Sequence, residues 1–416
     1  MGQDMAPWVI IVGLSLMLGL QPVTTDLYLP ALPQMQRALG ISQADAQWTL
    51  SVVVLAFGVA QMVWGPVSDR VGRRPVLLCG LAMVVLASAV TVIAPSLGVM
   101  IAARAVQGFG LAAAVVCARA MIRDLYEPEQ GARMLSKGLS GLGIIALTGP
   151  VIGGLTATWL GWRATLAVVG LFALLGLGFV ALLLRESLPV QRRQDSMSTV
   201  QRLVQWRHIG AQPMFRAYAA LTSATYAGLY VFLAASSFVF IEVLHVSRPM
   251  FGLMMSTVSV SYLLGTMFCR HRLPRQGLPG TVRMGAWLSA SSGVWCLAIS
   301  ALSLTLAWTP SAWMLLPGLW LYALAHGIHQ PCSQAGVVAG FPHQAGAASA
   351  LSGFIMSALA FGISAPLSAW MKHPHWIGTI HPMNLGLGLG ALVTATIGLT
   401  QVQRDGHPAP SLVPTV

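Results

Sequence analysis

Charge is scarce in this chain. Asp, Glu, Lys and Arg together make up 8% of its 416 residues, and Asp and Glu number 11. A soluble domain carries about a quarter charged residues, so a water-facing surface of ordinary composition is excluded. The familiar catalytic signatures are also missing: there is no GxxxxGK[ST], no GxSxG and no HExxH. Their absence excludes nucleotide-driven pumping by this chain itself and the usual hydrolase and metalloprotease sites. So few acids leave little for paired-carboxylate catalysis. Any energy source is then a gradient, or ATP hydrolysis on another polypeptide. Cysteine is sparse too. Cys79, Cys117, Cys269, Cys296 and Cys332 are odd in number, form no CxxC and lie in or beside apolar segments. They exclude a secreted disulfide framework and read as small apolar packing residues.

What the chain does have is apolar length. Hydrophobic residues are 56% of the total and the mean hydropathy is +0.73. Twelve membrane helices of about 20 residues need roughly 240 residues, close to what that fraction supplies. Apolar runs broken at charge or Pro/Gly clusters predict spans near 8–29, 46–66, 75–94, 97–118, 136–159, 164–184, 217–241, 250–269, 283–306, 311–338, 345–370 and 383–402. The expected class is an all-α polytopic membrane protein. Residues 1–184 form one six-helix half, 185–215 a basic central linker, 216–403 a second half, and 404–416 a Pro-rich disordered tail. No cleavable signal peptide is expected at the start, where Met1–Pro7 holds no basic residue.

The net charge of +12 and isoelectric point near 10.3 raise the question of a nucleic-acid partner. Placement answers it. Eighteen of the 23 Lys and Arg fall in the even-numbered connections and the C-terminus, and four (Arg37, Arg163, Arg248, Lys372) fall in the odd-numbered ones. That is a positive-inside bias, which puts both termini in the cytoplasm and leaves no nucleic-acid role. Gly65–Arg74, between spans two and three, has a weaker echo from Gly265 through Arg275 to Gly277, between spans eight and nine. A six-plus-six duplication with its site between the halves is a recurrent transporter plan.

Charges inside spans are the informative exceptions, each costing about 2.5–3.5 kcal/mol at a helix centre on insertion scales. Asp26 in the first span and Arg104 in the fourth fall at similar heights at a rise of about 1.5 Å per residue, within reach of each other. A carboxylate whose distance from an arginine changes between two states changes its proton affinity. Asp26 otherwise marks the end of its span, and Arg104 otherwise serves a static ion pair. In the loop Gly65-Pro66-Val67-Ser68-Asp69-Arg70-Val71-Gly72-Arg73-Arg74 the charge bias explains the arginines, not the glycines or the aspartate. Gly65 permits close helix approach, Gly72 a turn with positive φ, and Asp69 a pairing with Arg73 or a helix N-terminus. Such a cluster suits a cytoplasmic latch. His326 and His329 share a face of the tenth span. They are read as cavity-lining groups, a second titrating pair, or inert packing; no metal site is expected, because further ligands are wanting. Tyr28, Gln107, Tyr226 and Tyr230 are candidates for a substrate cavity.

The loop resembles the G-x-x-x-D-R-x-G-R-R/K signature of the major facilitator superfamily. Arg104-Ala-Val-Gln107-Gly108 is similar to the fourth-helix R-x-x-Q-G motif of its proton-coupled members. Gly149-Pro150-Val-Ile-Gly153-Gly154 resembles the fifth-helix antiporter motif. Thr25-Asp26-Leu-Tyr-Leu-Pro30, Arg123-Asp124-Leu125-Tyr126 and Ala345–Gly353 look like the bicyclomycin/chloramphenicol-resistance (Bcr/CflA) branch. The resemblance implies a monomeric, multi-pass drug:proton antiporter of the bacterial inner membrane. Such a protein takes small drug-like substrates and uses the proton gradient instead of a cofactor. It implies that Asp26 carries the proton and Arg104 couples it to the conformational change. It further implies that Gly65, Asp69, Arg70, Gly72, Arg73 and Asp124 build the latch, and that Gly149, Pro150, Gly153 and Gly154 set the fifth helix's bend and packing. Leu18 stands where some multidrug relatives carry a further acid, which favours neutral or zwitterionic substrates. A symporter or facilitator on the same fold, a membrane-embedded lipid enzyme and a non-transporting sensor are the competing classes.

Overall fold

The computed structural model describes residues 5–188, 199–341 and 344–407. Linker residues 189–198 and the tail from 408 lie outside the described residues. Every element described is helical. The first part comprises α1 (Pro7–Thr25), a short 3-10 turn (Leu29–Ala31), α2 (Leu32–Ala38), α3 (Gln43–Val71), α4 (Arg73–Ile93), α5 (Leu97–Leu125), α6 (Pro128–Trp159) and α7 (Trp162–Leu182). Then come α8 (Thr199–Ala211), α9 (Pro213–Ser237, continued by a π-helical turn, Phe238–Val243), α10 (Arg248–Thr305), α11 (Ala312–Ala339), α12 (Ala345–Lys372), α13 (His381–Leu399) and α14 (Gln401–Asp405). Arg404 and Asp405, expected in the disordered tail, instead close α14 with a two-pronged ion pair of 3.0 and 2.9 Å.

Among the described residues, ten helical stretches are long and apolar enough to cross a membrane. One of them, α10, is 58 residues long and leaves helical geometry at Gly277 (φ 65°), so it makes two passes. The 28-residue α11, diluted by His326, His329 and Gln330, brings the passes to twelve. Gly72, between α3 and α4, has φ 113°. Both members of the sequence echo therefore break consecutive spans with a glycine in the region that disfavours a side chain.

The chain divides into two compact units. The first takes residues up to 196 with 231–259 and 360–383, and the second takes 197–230, 260–359 and the remainder. In the first, α3 and α4 pack on α5, α1 on α6 and α4 on α7. Lipid tails are as apolar as leucine, so helices associate here by close packing of small residues. A Cβ on Gly108 would strike the carbonyl of Val53, and one on Gly110 the carbonyl of Gly80. The core around them runs from Leu14 and Met17 through Leu77 and Leu81 to Ala112, Ala113 and Ala114. In the second unit Phe215, Tyr218, Leu221, Val282, Ile328 and Cys332 form the core. Gly228 and Gly336 there leave room for the rings of Tyr322 and Tyr218.

Candidate functional site

Arg104 is fully buried on α5, seven residues from its start. Its Nε donates to the carbonyl of Thr49 on α3 (3.2 Å), and its Nη1 to the carbonyl of Thr24 on α1 (3.2 Å) and to Oε1 of Gln107 (3.1 Å). Thr24 lies in the last turn of α1, where carbonyls run out of intrahelical donors and carry the negative end of the helix dipole. The guanidinium carbon stands 4.4 Å from the ring centroid of Tyr28, a cation–π contact made stronger by desolvation. Gln107 passes the network on to Ser88 Oγ of α4 (2.8 Å), and the Tyr28 hydroxyl sits 3.2 Å from Thr49 Oγ1 and 2.7 Å from Met35 Sδ. Four helices thus meet on one cation held by neutral groups. Tyr28 and Gln107, proposed as cavity residues from the sequence, are 0% exposed and belong to this cluster.

The expected approach of Asp26 and Arg104 is corrected: no ion pair joins them among the described residues. Asp26 is the C-cap of α1, donates its N–H to the carbonyl of Pro22 (2.7 Å) and accepts from Thr25 Oγ1 (2.7 Å). The reason is angular. Tyr28 follows Asp26 by two residues of near-helical chain, roughly 200° round the axis, so the face that receives Arg104 is not the Asp26 face.

The glycine run of α6 meets the same stretch from another side. A Cβ on Gly153 would collide with the carbonyl of Leu27, the residue after Asp26, while one on Gly149 would reach only ordinary contact with Leu27, at 3.9 Å. Gly154 faces the carbonyl of Arg248 at the start of α10, and Gly252 of α10 faces the carbonyl of Pro150. The helix is therefore pinned between the Asp26 segment and α10.

The signature loop builds a second cluster. Arg73 binds Asp69 (2.5 Å), Asp124 (2.9 Å) and Ser68 Oγ (2.7 Å), and Asp124 also accepts from Ser187 Oγ (3.1 Å). Desolvation works against the charged form of Arg73, and the two carboxylates repay it. Two members are absent from the sequence reading. Glu186 accepts the backbone N–H groups of Arg73 (2.9 Å) and Arg74 (3.2 Å), capping the first turn of α4 from beyond α7, and Ser187 follows it. Sequence spacing could not reveal them, since they lie more than 110 residues away. Arg70 is exposed beside the cluster. Gly65 is a correction: a Cβ there would meet nothing within 4 Å, so it makes no close helix approach, and its carbonyl accepts from Ser68 Oγ (2.9 Å).

Tyr226, Tyr230, His326 and His329 all lie in the second unit and are buried. His326 Nδ1 is 3.1 Å from Thr225 Oγ1, and its ring lies 5.6 Å from that of Tyr262. His329 packs against Gly285, where a Cβ would crowd its Nε2 at 2.6 Å. In the first unit a cavity of about 390 Å³, not foreseen from sequence, lies beside the π-helical turn and is lined by Gln36, Gln43, Glu242, His245, Trp376 and Thr379 among others.

These clusters sit in a fold of helical transporters. The backbone superposes on a D-xylose-proton symporter with a TM-score of 0.72, covering 97% of this chain and 99% of that one at 16% identity. The chain belongs to the Major Facilitator Superfamily, which it matches over residues 14–365. It is 31% identical to Multidrug resistance protein D of Escherichia coli, covering 95% of this chain and 97% of the relative. It is 29% identical to the Chloramphenicol resistance protein of Pseudomonas aeruginosa (91% and 87% covered). With a Bicyclomycin resistance protein homolog of Haemophilus influenzae it shares 26% identity (95% and 96% covered). It is a multi-pass membrane protein.

Proposed function

We propose that the chain exports small hydrophobic or amphipathic drugs in exchange for protons, as a monomer in the bacterial inner membrane with both termini in the cytoplasm. Its six-helix halves, 1–184 and 216–403, joined by the 185–215 linker, rock around a midplane cavity and expose the substrate site to each side in turn. The observation that carries this reading is the separation of Asp26 from Arg104. Nε and Nη1 of the buried cation are taken by Thr24, Thr49 and Gln107, and the guanidinium lies over the Tyr28 ring with no carboxylate among its partners, which leaves the Asp26 carboxylate to gain and lose a proton. Leu27 rests on Gly153, so a change at Asp26 is passed to α6 and through it to α10. Arg104 holds the end of α1 in register while this happens. The Arg73–Asp69–Asp124 cluster latches the cytoplasmic side, and the relatives' printed drug names support the substrate class.

The test is drug-driven proton movement in liposomes carrying the purified protein. The wild type releases protons when drug is added on the cytoplasmic face, and Asp26→Asn inserts normally but abolishes that signal. Unchanged coupled export by Asp26→Asn refutes the role of Asp26. Accumulation of substrate inside right-side-out energised vesicles overturns export altogether.

A further inference from the structure

Packing is the ordinary role of a buried thiol, and the five cysteines are far apart in sequence. In the second unit two of them meet. Cys269 on α10 and Cys332 on α11 are free thiols, 2% and 0% exposed, with Sγ atoms 3.5 Å apart. The seam between the two helices explains the meeting. A Cβ on Gly265 would strike the carbonyl of Leu324, and one on Gly327 the carbonyl of Tyr262. Bare backbone on both sides lets the axes close, and each cysteine follows its glycine by about one turn. The pair belongs to an apolar core with Val282, Ile328 and Ala348. Among the described residues no group of three His, Cys, Asp or Glu is assembled to hold a metal ion.

We propose that Cys269 and Cys332 form a dithiol site that captures trivalent arsenicals and bridges α10 to α11. Two soft sulfur donors at fixed spacing without a carboxylate suit a soft, thiophilic centre better than zinc, magnesium or calcium. The step balances without redox chemistry. An organoarsenic oxide, R–As=O, forms two As–S bonds, both S–H bonds break, and the oxygen leaves as water with the two protons. Arsenic stays trivalent throughout. Buried thiols are inert toward polar reagents, whereas a neutral aromatic arsenical partitions into the apolar interior where this pair lies. The bridge fixes the seam about two turns from the Tyr262–His326 ring contact.

The experiment treats the purified full chain with phenylarsine oxide and reads intact mass. One phenylarsenic bridge per chain is expected, stable to excess mercaptoethanol and removed by dimercaptopropanol. Cys269→Ser and Cys332→Ser each lower the monothiol-resistant fraction by an order of magnitude, while Cys79→Ser, Cys117→Ser and Cys296→Ser leave it unchanged. Cys269→Ala and Cys332→Ala are run alongside, since serine is poorly suited to an apolar seam, and each variant is first shown to be monodisperse. A wild-type protein that retains no monothiol-resistant adduct overturns the proposal. So does retention at the wild-type level in a monodisperse Cys269 or Cys332 variant, which would assign the bridge to other thiols.

Discussion

The guanidinium of Arg104 lies 4.4 Å from the ring centroid of Tyr28, so the aromatic face takes the place that a carboxylate would hold in a conventional buried ion pair. The arrangement fits the energetics of a membrane interior. A buried pair repays its desolvation only with good geometry and further hydrogen bonds, whereas a ring and carbonyl dipoles already sit in the dry core.

The ring and the hydroxyl of Tyr28 are separable. Tyr28→Phe keeps the face and loses one neutral hydrogen bond, a cost of about 1 kcal/mol. Tyr28→Leu removes the face as well, adding about 2 kcal/mol for a desolvated cation–π contact. Thermal unfolding of the detergent-solubilised protein is expected to rank wild type, Phe and Leu in that order. Equal losses for the two variants would show that the ring does not hold the cation.

Glu186 caps α4 from outside that helix. Glu186→Ala is expected to cost about 1 kcal/mol, the usual worth of a lost N-cap acceptor, and Glu186→Gln to recover part of it while forfeiting the charge–dipole share of about 0.3–1 kcal/mol. Denaturant or thermal unfolding distinguishes the two. In the same cluster Asp124 has 16% side-chain exposure against 40% for Asp69, so solvent screens Asp69 more. Flux in liposomes should fall further for Asp124→Asn than for Asp69→Asn, and substrate binding should survive both. The reverse order would mean that latching depends on the exposed partner.

Twelve passes, the positive-φ turn at Gly72 and the Asp69–Arg73 pair were legible because each has a local signature: apolar length, a glycine between spans, and an i,i+4 spacing. Partners joined only by the fold were not legible. Glu186 reaches Arg73 across more than 110 residues, and Cys269 meets Cys332 across 63. Asp26 and Arg104 share no ion pair among the described residues for a different reason. Height along a helix was inferred correctly enough to bring Arg104 to α1, but azimuth was not, and azimuth decided for Thr24 and Tyr28. Gly65 illustrates the same limit, since a glycine in a signature shows where a side chain is absent without saying what occupies the space.

Within the α6 run the glycines are not equivalent. Gly153→Ala drives a methyl into the carbonyl of Leu27, and backbone cannot yield as a flexible side chain can; overpacking of this kind costs about 1–3 kcal/mol. Gly149→Ala places its methyl at ordinary contact distance from Leu27 and adds helix propensity of roughly 1 kcal/mol. Coupled export should therefore be impaired by Gly153→Ala and retained by Gly149→Ala, with surface expression of both measured alongside. Equal tolerance would mean that α6 does not bear on the Asp26 segment.

If the Arg73 cluster latches one face of the membrane, contacts on the other must give way in alternation, and the first unit contains a set suited to it. Gln47, 1% exposed, donates to the carbonyl of Ala234 on α9 (3.1 Å) and accepts from Ser368 Oγ on α12 (2.7 Å). One turn further along α3, the hydroxyls of Ser51 and Ser364 lie 2.6 Å apart. Ser51 Oγ also donates to the Gln47 carbonyl (3.0 Å), so Ser51→Ala strands the Ser364 hydroxyl at about 1–3 kcal/mol, Ser364→Ala costs only the shared bond, and removing both can be nearly neutral. Ser51→Ala and Ser364→Ala are each expected to lower the unfolding temperature, and the double variant to lower it by less than their sum, with an interaction energy of about 1 kcal/mol. If these contacts also close one side of the transport path, Gln47→Leu will shift the protein toward the state in which they are broken. Labelling of a cysteine placed at Ser51 in a Cys79→Ser background reads that shift directly, since the label reaches the site only when α3 and α12 part. Faster labelling in Gln47→Leu supports a closing role. An unchanged rate, with the stability loss intact, would make the cluster a fixed weld between these helices.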